Sequence, residues 1–360
     1  VLQVVTYMGR GGLETMLMNY YRHMDRGRVQ FDFLVHRDFT ADYDSEILSM
    51  GGKIYRNSRL IPWSRTYREN VKQFFREHPE YQIVHVHQDC LSSVVLECAR
   101  ECGVPVRIAH SHNSSQDRNL KYLMKRYYRK QIPGCATDLL ACSKTAGRWM
   151  FGEEPFRILP NAIELEYYRY SEATERAVRK ELRLGNSTVI GHVGRFDPQK
   201  NHEFLLRIFE ACTELQADSK LLLVGDGEGK KRIEQKVREK NLQDKVIFTG
   251  VREDVNRLLQ AMDVFVFPSL YEGLPVTLME AQAVGLPCVI SDQVSEECIV
   301  TKNLISCVPL KQSPTQWAAL LLQKSRRGKE DHRKEIKEAG YDISTAAKKL
   351  ERYYLRKAER

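Results

Sequence analysis

Between Asp263 and Glu280 the chain reads D-V-F-V-F-P-S-L-Y-E-G-L-P-V-T-L-M-E, and few folds can accommodate such a stretch. Val264 to Phe267 is a short run of β-branched and aromatic residues, the mark of a strand buried on both faces. Pro268 and Ser269 end it. Tyr271-Glu272-Gly273-Leu274-Pro275 then form a tight loop, and Val276 onward reads as a helix with Pro275 near its first turn. A loop that opens a helix offers backbone N–H groups and the positive end of the helix dipole, which together suit a phosphate. Glu272 stands on the loop and Glu280 follows eight residues later. With helix beginning near Val276, the two acids can face one crevice.

The same alternation of strand and helix recurs along the chain. Leu2 to Tyr7 is an apolar strand, Met8-Gly9-Arg10-Gly11-Gly12 a glycine turn, and Leu13 to His23 a helix, which is how a doubly wound fold opens. The glycines fall short of a full dinucleotide-binding pattern. Phe31 to His36, Tyr81 to Val86, Val104 to Ala109 and Asp138 to Ser143 are further strands, with helices at Tyr67 to Phe75 and Leu91 to Cys102. In an open α/β sheet, ligands bind beyond the carboxyl ends of the strands. His87 and His110-Ser111-His112-Asn113 fall there. Asp42-Tyr43-Asp44 has the spacing of a metal-binding acidic pair but sits in a polar loop, and it is read as surface. Tyr167 to Leu184 is a polar, largely helical connector.

A second series of strands starts at Thr188 to Val193, followed by Gly194-Arg195-Phe196-Asp197-Pro198-Gln199-Lys200-Asn201. Lys220 to Val224 ends in Gly225-Asp226-Gly227, and Val246 to Thr249 in Gly250-Val251-Arg252. Cys288 to Ser291 follows the Glu280 helix, and Asp342 to Lys357 is a long amphipathic helix. The 360 residues allow two domains with substantial cores, and 42% hydrophobic with 29% charged residues is an ordinary globular balance. No apolar run approaches a membrane span, and Val1 to Val5 is too short for a secretory signal. Val1 is not a natural start, so a few native residues are expected ahead of it. Nine cysteines without a CxxC pair suggest reduced core thiols in a cytosolic protein. A net charge of +9 suits nucleic acid, anionic lipid or a phosphorylated substrate without choosing among them. No nucleic-acid reading element is evident.

Taken together, the Asp263–Glu280 segment, G-R-F-x-x-x-K-N at Gly194 and the Gly11-Gly12 loop resemble family 4 of the retaining GT-B glycosyltransferases, which use nucleotide-activated sugars. The resemblance covers nearly the whole chain. It is densest from Gly194 to Glu280 and thinnest from Asp38 to Tyr81. It implies two Rossmann-like doubly wound domains facing across a cleft. Residues 1–165 would be an acceptor domain and 166–340 a nucleotide-sugar domain, with a linker at about 166–187. Residues 341–360 would be a helix crossing back to the first domain. Arg157 to Glu164, R-I-L-P-N-A-I-E, resembles the family's hinge segment, with Ala162 and Glu164 replacing the commoner glycine and aspartate.

The implied donor site comprises Gly12, Gly194, Arg195, Lys200, Val251, Arg252, Glu272, Gly273, Leu274, Pro275, Val276 and Glu280. Arg195 and Lys200 would hold the leaving diphosphate, Glu272 the sugar and Glu280 the ribose. On the acceptor side stand Gly11, His110, His112 and Asn113. His112 matches the family histidine beside the reacting sugar, while His110 stands where threonine is common and is open between roles. Glu14 is read as a first-turn acid. His112, Arg195, Lys200 and Glu272 form the expected catalytic set. No cofactor and no metal are expected, because the two cations supply the charge. The donor is expected to be UDP-linked and the acceptor a glycan or polyprenyl-linked sugar, as in cell-surface polysaccharide assembly. The implied location is cytoplasmic, peripheral on the inner face of the membrane.

A basic, aromatic stretch, Arg118 to Lys130 with its helix from Leu120 to Gln131, is a candidate contact to an anionic membrane surface. Arg118, Lys121, Lys125, Arg126, Arg129 and Lys130 supply the charge, and Tyr127 and Tyr128 suit the headgroup zone. Two rival readings of the whole chain are a nucleotide-sugar 2-epimerase on the same scaffold and a nucleotide-sugar binding protein without turnover.

Overall fold

The computed structural model describes residues 1–115 and 122–359. Arg118, Leu120 and Lys121 of the basic stretch lie outside the described residues. The chain divides into two units, Val1–Ala162 with Ile343–Arg360 and Ile163–Asp342. The divisions fall at 162/163 and 342/343, where the sequence had suggested 165/166 and 340/341. A bridge between Ile163 and Asp342 ties together the two ends of the second unit.

The first unit carries seven parallel strands: β1 (Leu2–Val4), β2 (Asp32–Val35), β3 (Ile54–Arg56), β4 (Ile83–Val86), β5 (Val106–Ser111), β6 (Asp138–Ala141) and β7 (Arg157–Ile158). Their order is β3-β2-β1-β4-β5-β6-β7. The second unit carries six: β8 (Thr188–Val193), β9 (Ser219–Val224), β10 (Val246–Gly250), β11 (Val264–Phe267), β12 (Cys288–Ser291) and β13 (Ile305–Val308), ordered β10-β9-β8-β11-β12-β13. Every pairing is parallel. In each sheet the order reverses once, between β1 and β4 and between β8 and β11. That is where a doubly wound sheet opens a crevice for ligand.

Buried strands read as continuous apolar runs because helices cover both faces of a parallel sheet. Val264–Phe267 is buried at all four positions, as are Cys288–Ser291 and Ile83–Val86. The first core gathers Leu2, Val4, Val84, Val94, Ala109 and Ile132. The second gathers Ile190, Phe209, Leu221, Val266 and Trp317. β3 and β13 carry no distinct apolar alternation and were not anticipated; each sits at a sheet edge, where burial constrains sequence least.

β5 runs on through Ser111, two residues beyond the expected strand end, so His110 is inside the sheet and 1% exposed. Its placement in a loop beyond the strand is thereby corrected. The helix after it spans Tyr122–Cys135 and buries Tyr128, Ile132 and Cys135. Tyr128 is therefore a core residue, not a surface aromatic. Asp44 begins a short helix, Asp44–Ser49, and accepts from the Ala41 N–H and the Arg56 guanidinium, which explains its burial without a metal. Among the described residues, no helix is long and apolar enough to cross a membrane.

Candidate active site

In the second unit the site is built from two loops at the carboxyl ends of β8 and β11. Gly194 to Asn201 contains a single 3-10 turn, Pro198–Lys200, started by the Asp197 carboxylate accepting from the Lys200 N–H. Asn201 ends the turn in the left-handed region, at φ 56°, and donates its side chain to the Pro268 carbonyl at 3.2 Å. Gln199 donates to the Tyr271 carbonyl, and the Leu270 N–H to the Gln199 carbonyl. These bonds tie the basic loop to the acidic one. Gly225, at φ 133°, closes the arrangement from β9: any side chain there would collide with the Gly194 carbonyl.

The result is a fixed charge pair. Lys200 Nζ lies 2.7 Å from Glu272 Oε1 and 4.7 Å from the centre of the Phe267 ring. Both charged side chains are largely buried, and a pair of this kind persists because each charge satisfies the other. Arg195 is not drawn in. Its guanidinium is 63% exposed and lies 3.3 Å from Asp197. Gly273, Leu274, Pro275 and Val276 are all buried, and Pro275 precedes the helix Val276–Val284 without a side chain that caps it. Arg252 is held by Asp254 and Glu181, whose carboxylates raise its pKa, while Val251 is exposed.

Glu280 lies in the first turns of that helix and is 5% exposed. Burial raises its carboxyl to about 7, partly opposed by the Tyr168 hydroxyl, which donates to Oε1 at 2.5 Å. Tyr168 comes from the 3-10 turn Leu165–Tyr168 and was missed by sequence reasoning. No spacing signal joins residues 112 positions apart in the chain.

In the first unit, the Gly11-Gly12 turn opens the helix Gly12–His23. The Glu14 carboxylate folds back on it so closely that a side chain at Gly11 would collide with Oε2, whereas Gly12 is open on the surface. The sheet of the same unit carries four imidazoles in two H-x-H pairs. His85 and His87 come from β4 and its end, His110 and His112 from β5 and its end. Their rings lie 4.0 to 5.2 Å apart, centre to centre. Burial holds His85, His87 and His110 well below their ordinary pKa, and His112 at about 3, so all four are neutral near pH 7. Asn113 lies beside the partly buried Asp89, whose carboxyl is raised overall by desolvation, an effect that Lys125, Arg129 and Asn113 partly offset. Asp89 itself adopts φ 52°, an unusual conformation for a non-glycine residue.

Sequence reasoning singled out His110 and His112, and noted His87 at its strand edge. His85, inside the strand read from Tyr81 to Val86, was not singled out. Among the described residues, His85, His87 and His110 are the one group of metal-capable side chains that lie close enough together, within 4.8 Å. Both nitrogens of His87 are already hydrogen-bonded and the trio includes no carboxylate.

Two doubly wound units, one with a buried lysine–glutamate pair and a buried second glutamate, and one with a file of neutral histidines, define a two-domain α/β enzyme of the GT-B type. Residues 10–167 match the family model described as Glycosyltransferase Family 4, and residues 174–342 that described as Glycosyl transferases group 1. A Bacillus subtilis (strain 168) protein named as glycosyltransferase EpsF is 39% identical over 356 residues, covering 95% of this chain and 92% of that one. An Escherichia coli UDP-Gal:alpha-D-GlcNAc-diphosphoundecaprenol alpha-1,3-galactosyltransferase is 32% identical over 259 residues, 68% of this chain and 66% of that one. The crystal structure of Anabaena HepE in complex with UDP and glucose superposes with a TM-score of 0.80 at 16% identity, covering 98% of both chains. The chain belongs to the family 4 glycosyltransferases and is a glycosyltransferase with the GT-B fold.

Proposed function

We propose that the protein is a retaining hexosyl- or N-acetylhexosaminyltransferase. It would take its sugar from a UDP-linked donor and pass it to a glycan or polyprenyl-linked sugar in surface polysaccharide assembly. The observation that carries this reading is the Lys200–Glu272 pair at the β8/β11 crevice. A lysine held in place by an acid is positioned before the reaction. It can therefore stabilise charge developing on a leaving diphosphate without reorganising. Arg195, on the same loop and exposed, supplies a second cation able to swing onto the phosphates. Glu272 would meet the sugar, and Glu280 the ribose hydroxyls. His112, with Gly11, Asn113 and the buried His110, would serve the acceptor side.

The UDP donor and lipid-linked acceptor are supported by what the galactosyltransferase relative is named for and by the UDP and glucose of the HepE complex. Because no side chain among the described residues stands out as a nucleophile for double displacement, we favour front-face transfer, in which the departing phosphate oxygen helps to take the acceptor proton. Recruitment to an anionic membrane would fall to Leu123, Arg126, Tyr127 and Lys130, all on the helix Tyr122–Cys135, with Leu123 and Tyr127 exposed. Incubating the protein with a panel of nucleotide sugars and polyprenyl-diphosphate sugars, with mass analysis of products, tests the reading. Transfer with retained anomeric configuration is expected. Conversion of the donor sugar to its 2-epimer, or binding without turnover, would overturn it in favour of an epimerase or a binding protein.

A further inference from the structure

The buried polar file of the first unit runs one way, from the C-terminal helix to His112. Gln3 is an oddity in β1, an amide at 0% exposure between Leu2 and Val4. An unbonded buried amide costs roughly 1–3 kcal/mol, so its partners need identifying. Gln3 pairs in register with His85 on the neighbouring strand. Side chains two apart on a strand share a face, which puts His85 and His87 together, and His110 and His112 together on the next strand. Tyr354, from the helix Ile343–Ala358, covers this face, with its hydroxyl 2.7 Å from His85 Nδ1.

Proton counting gives the direction. The Gln3 Nε2 donates to the Tyr354 oxygen at 3.3 Å, so the single phenol proton is left for His85 Nδ1. With the amide so turned, Gln3 Oε1 faces His87 Nε2 at 2.9 Å. An amide oxygen can only accept, so that nitrogen carries the proton of His87. A neutral imidazole has one N–H, so His87 Nδ1 is bare and accepts. Its partner at 2.8 Å is His112 Nε2, which must therefore be the protonated nitrogen of His112. The basic Nδ1 of His112 is then left unprotonated at the end of the file that is only half-buried.

We infer that Gln3, His87 and Tyr354 are positioning residues which lock His112 in its Nε2–H tautomer, with Nδ1 available to an acceptor hydroxyl. This rests on the reading of His112 as the residue beside the reacting centre. A pocket that needed only packing would be filled at these positions by apolar side chains. A polar file closed at one end by Tyr354 and open at the other has a use where a proton is handled. Mis-set tautomers are costly: when the histidine of a serine-protease triad loses its orienting carboxylate, turnover falls about 10⁴-fold. Gln3 and Tyr354 act from farther away, and an amide is a weaker partner than a carboxylate. Their loss is expected to cost about 10- to 10²-fold, less than the roughly 10²–10⁴-fold that a group moving a proton itself contributes.

The test is two-bond 1H–15N correlation on protein labelled with 15N-histidine, alongside steady-state kinetics. Wild-type His112 and His87 are expected in the Nε2–H form. Gln3→Met and Tyr354→Phe should leave a mixture of tautomers at His112 and lower kcat, with the donor KM held within about twofold because neither residue belongs to a phosphate-binding loop. The phenylalanine variant, which removes a single oxygen, covers the case that Gln3→Met folds poorly. A wild-type His112 found in the Nδ1–H form would overturn the assigned sense. Unchanged kcat in both variants, with His112→Ala inactive, would overturn the positioning role. If His112→Ala itself kept full activity, the reading of His112 would fall, whereas the tautomer spectra would still stand or fall by themselves.

Discussion

The two crevices are built from opposite materials. At β8/β11 the polar groups are charged or able to become so: Lys200 against Glu272, and Glu280 with a carboxyl raised to about 7. At β1/β4 and along β5 they are imidazoles that burial holds neutral, an amide and a phenol, with Tyr354, His85, Gln3, His87 and His112 hydrogen-bonded in a file. The difference matches what each half of a sugar transfer requires. A departing diphosphate gathers negative charge, which a placed cation stabilises. An attacking hydroxyl must be held with its proton toward the departing phosphate oxygen, which calls for an uncharged hydrogen-bonding partner in a known tautomer. One scaffold thus serves two chemistries by changing what projects from the carboxyl ends of equivalent strands.

The largest expected effect bears on the charged side. Lys200→Ala should lower kcat by roughly 10²–10³-fold, the usual loss on removing one donor to developing charge, with donor KM little changed. If steady-state kinetics show weaker donor binding at intact turnover, Lys200 is a binding residue and the contrast between the crevices weakens.

Glu280→Gln should act on binding instead. Hydrogen bonds to a charged group are worth about 1.5–3 kcal/mol, so donor affinity should fall by about 10- to 10²-fold. The pH dependence sharpens the point. Only the ionised carboxylate accepts both ribose hydroxyls, so calorimetry should find wild-type affinity rising from about pH 6 to about pH 8 and a flat profile for the variant. Stability runs the other way. A carboxyl raised from 4.5 to about 7 in the fold keeps its stabilising proton below its unfolded pKa and loses that contribution as pH climbs through 7. The wild type should therefore lose ground to Glu280→Gln between about pH 5 and about pH 8, by on the order of 3 kcal/mol at most. Parallel unfolding curves across that range would place Glu280 in an ordinary, ionised state. The buried histidines have the reverse sign: lowered pKa values cost stability as pH falls below about 6.5.

A smaller effect is expected at the surface. Arg126 and Lys130, each worth about 1 kcal/mol near an anionic membrane, should together shift vesicle binding by about 10- to 30-fold in low salt when both are changed to glutamine. Lys125 and Arg129 are less suited to that role, since both act on the carboxyl of Asp89. Equal flotation of the two proteins with phosphatidylglycerol vesicles would leave this helix face simply solvated. The smallest effect is none at all. If Lys200 and Arg195 supply the charge that a metal provides elsewhere, excess EDTA should not alter the transfer rate, and loss restored by magnesium or manganese would refute this.

Where one strand, one turn and one helix follow each other in the chain, local chemistry is enough to read them. Val264–Phe267, Cys288–Ser291 and Thr188–Val193 were legible to the residue, because strands buried on both faces read as largely apolar runs. The turns after β1, β8 and β11 were legible for the same reason, since glycine and proline mark backbone needs that are local. By itself the sequence therefore determined the two doubly wound units and their crevices, and it marked Lys200, Glu272, Glu280 and His112 as candidate site residues. Tertiary structure alone decided the rest. Lys200 meets Glu272 across 72 positions, Tyr168 meets Glu280 across 112, and Tyr354 meets Gln3 across 351. No periodicity encodes such pairs. It took the sheet register to bring His85 beside Gln3, and the return of the C-terminal helix to place a phenol over them. Buried hydrogen bonds are directional and must be satisfied wherever the fold happens to deliver their partners, so the proton order of that file exists only once the chain has closed on itself.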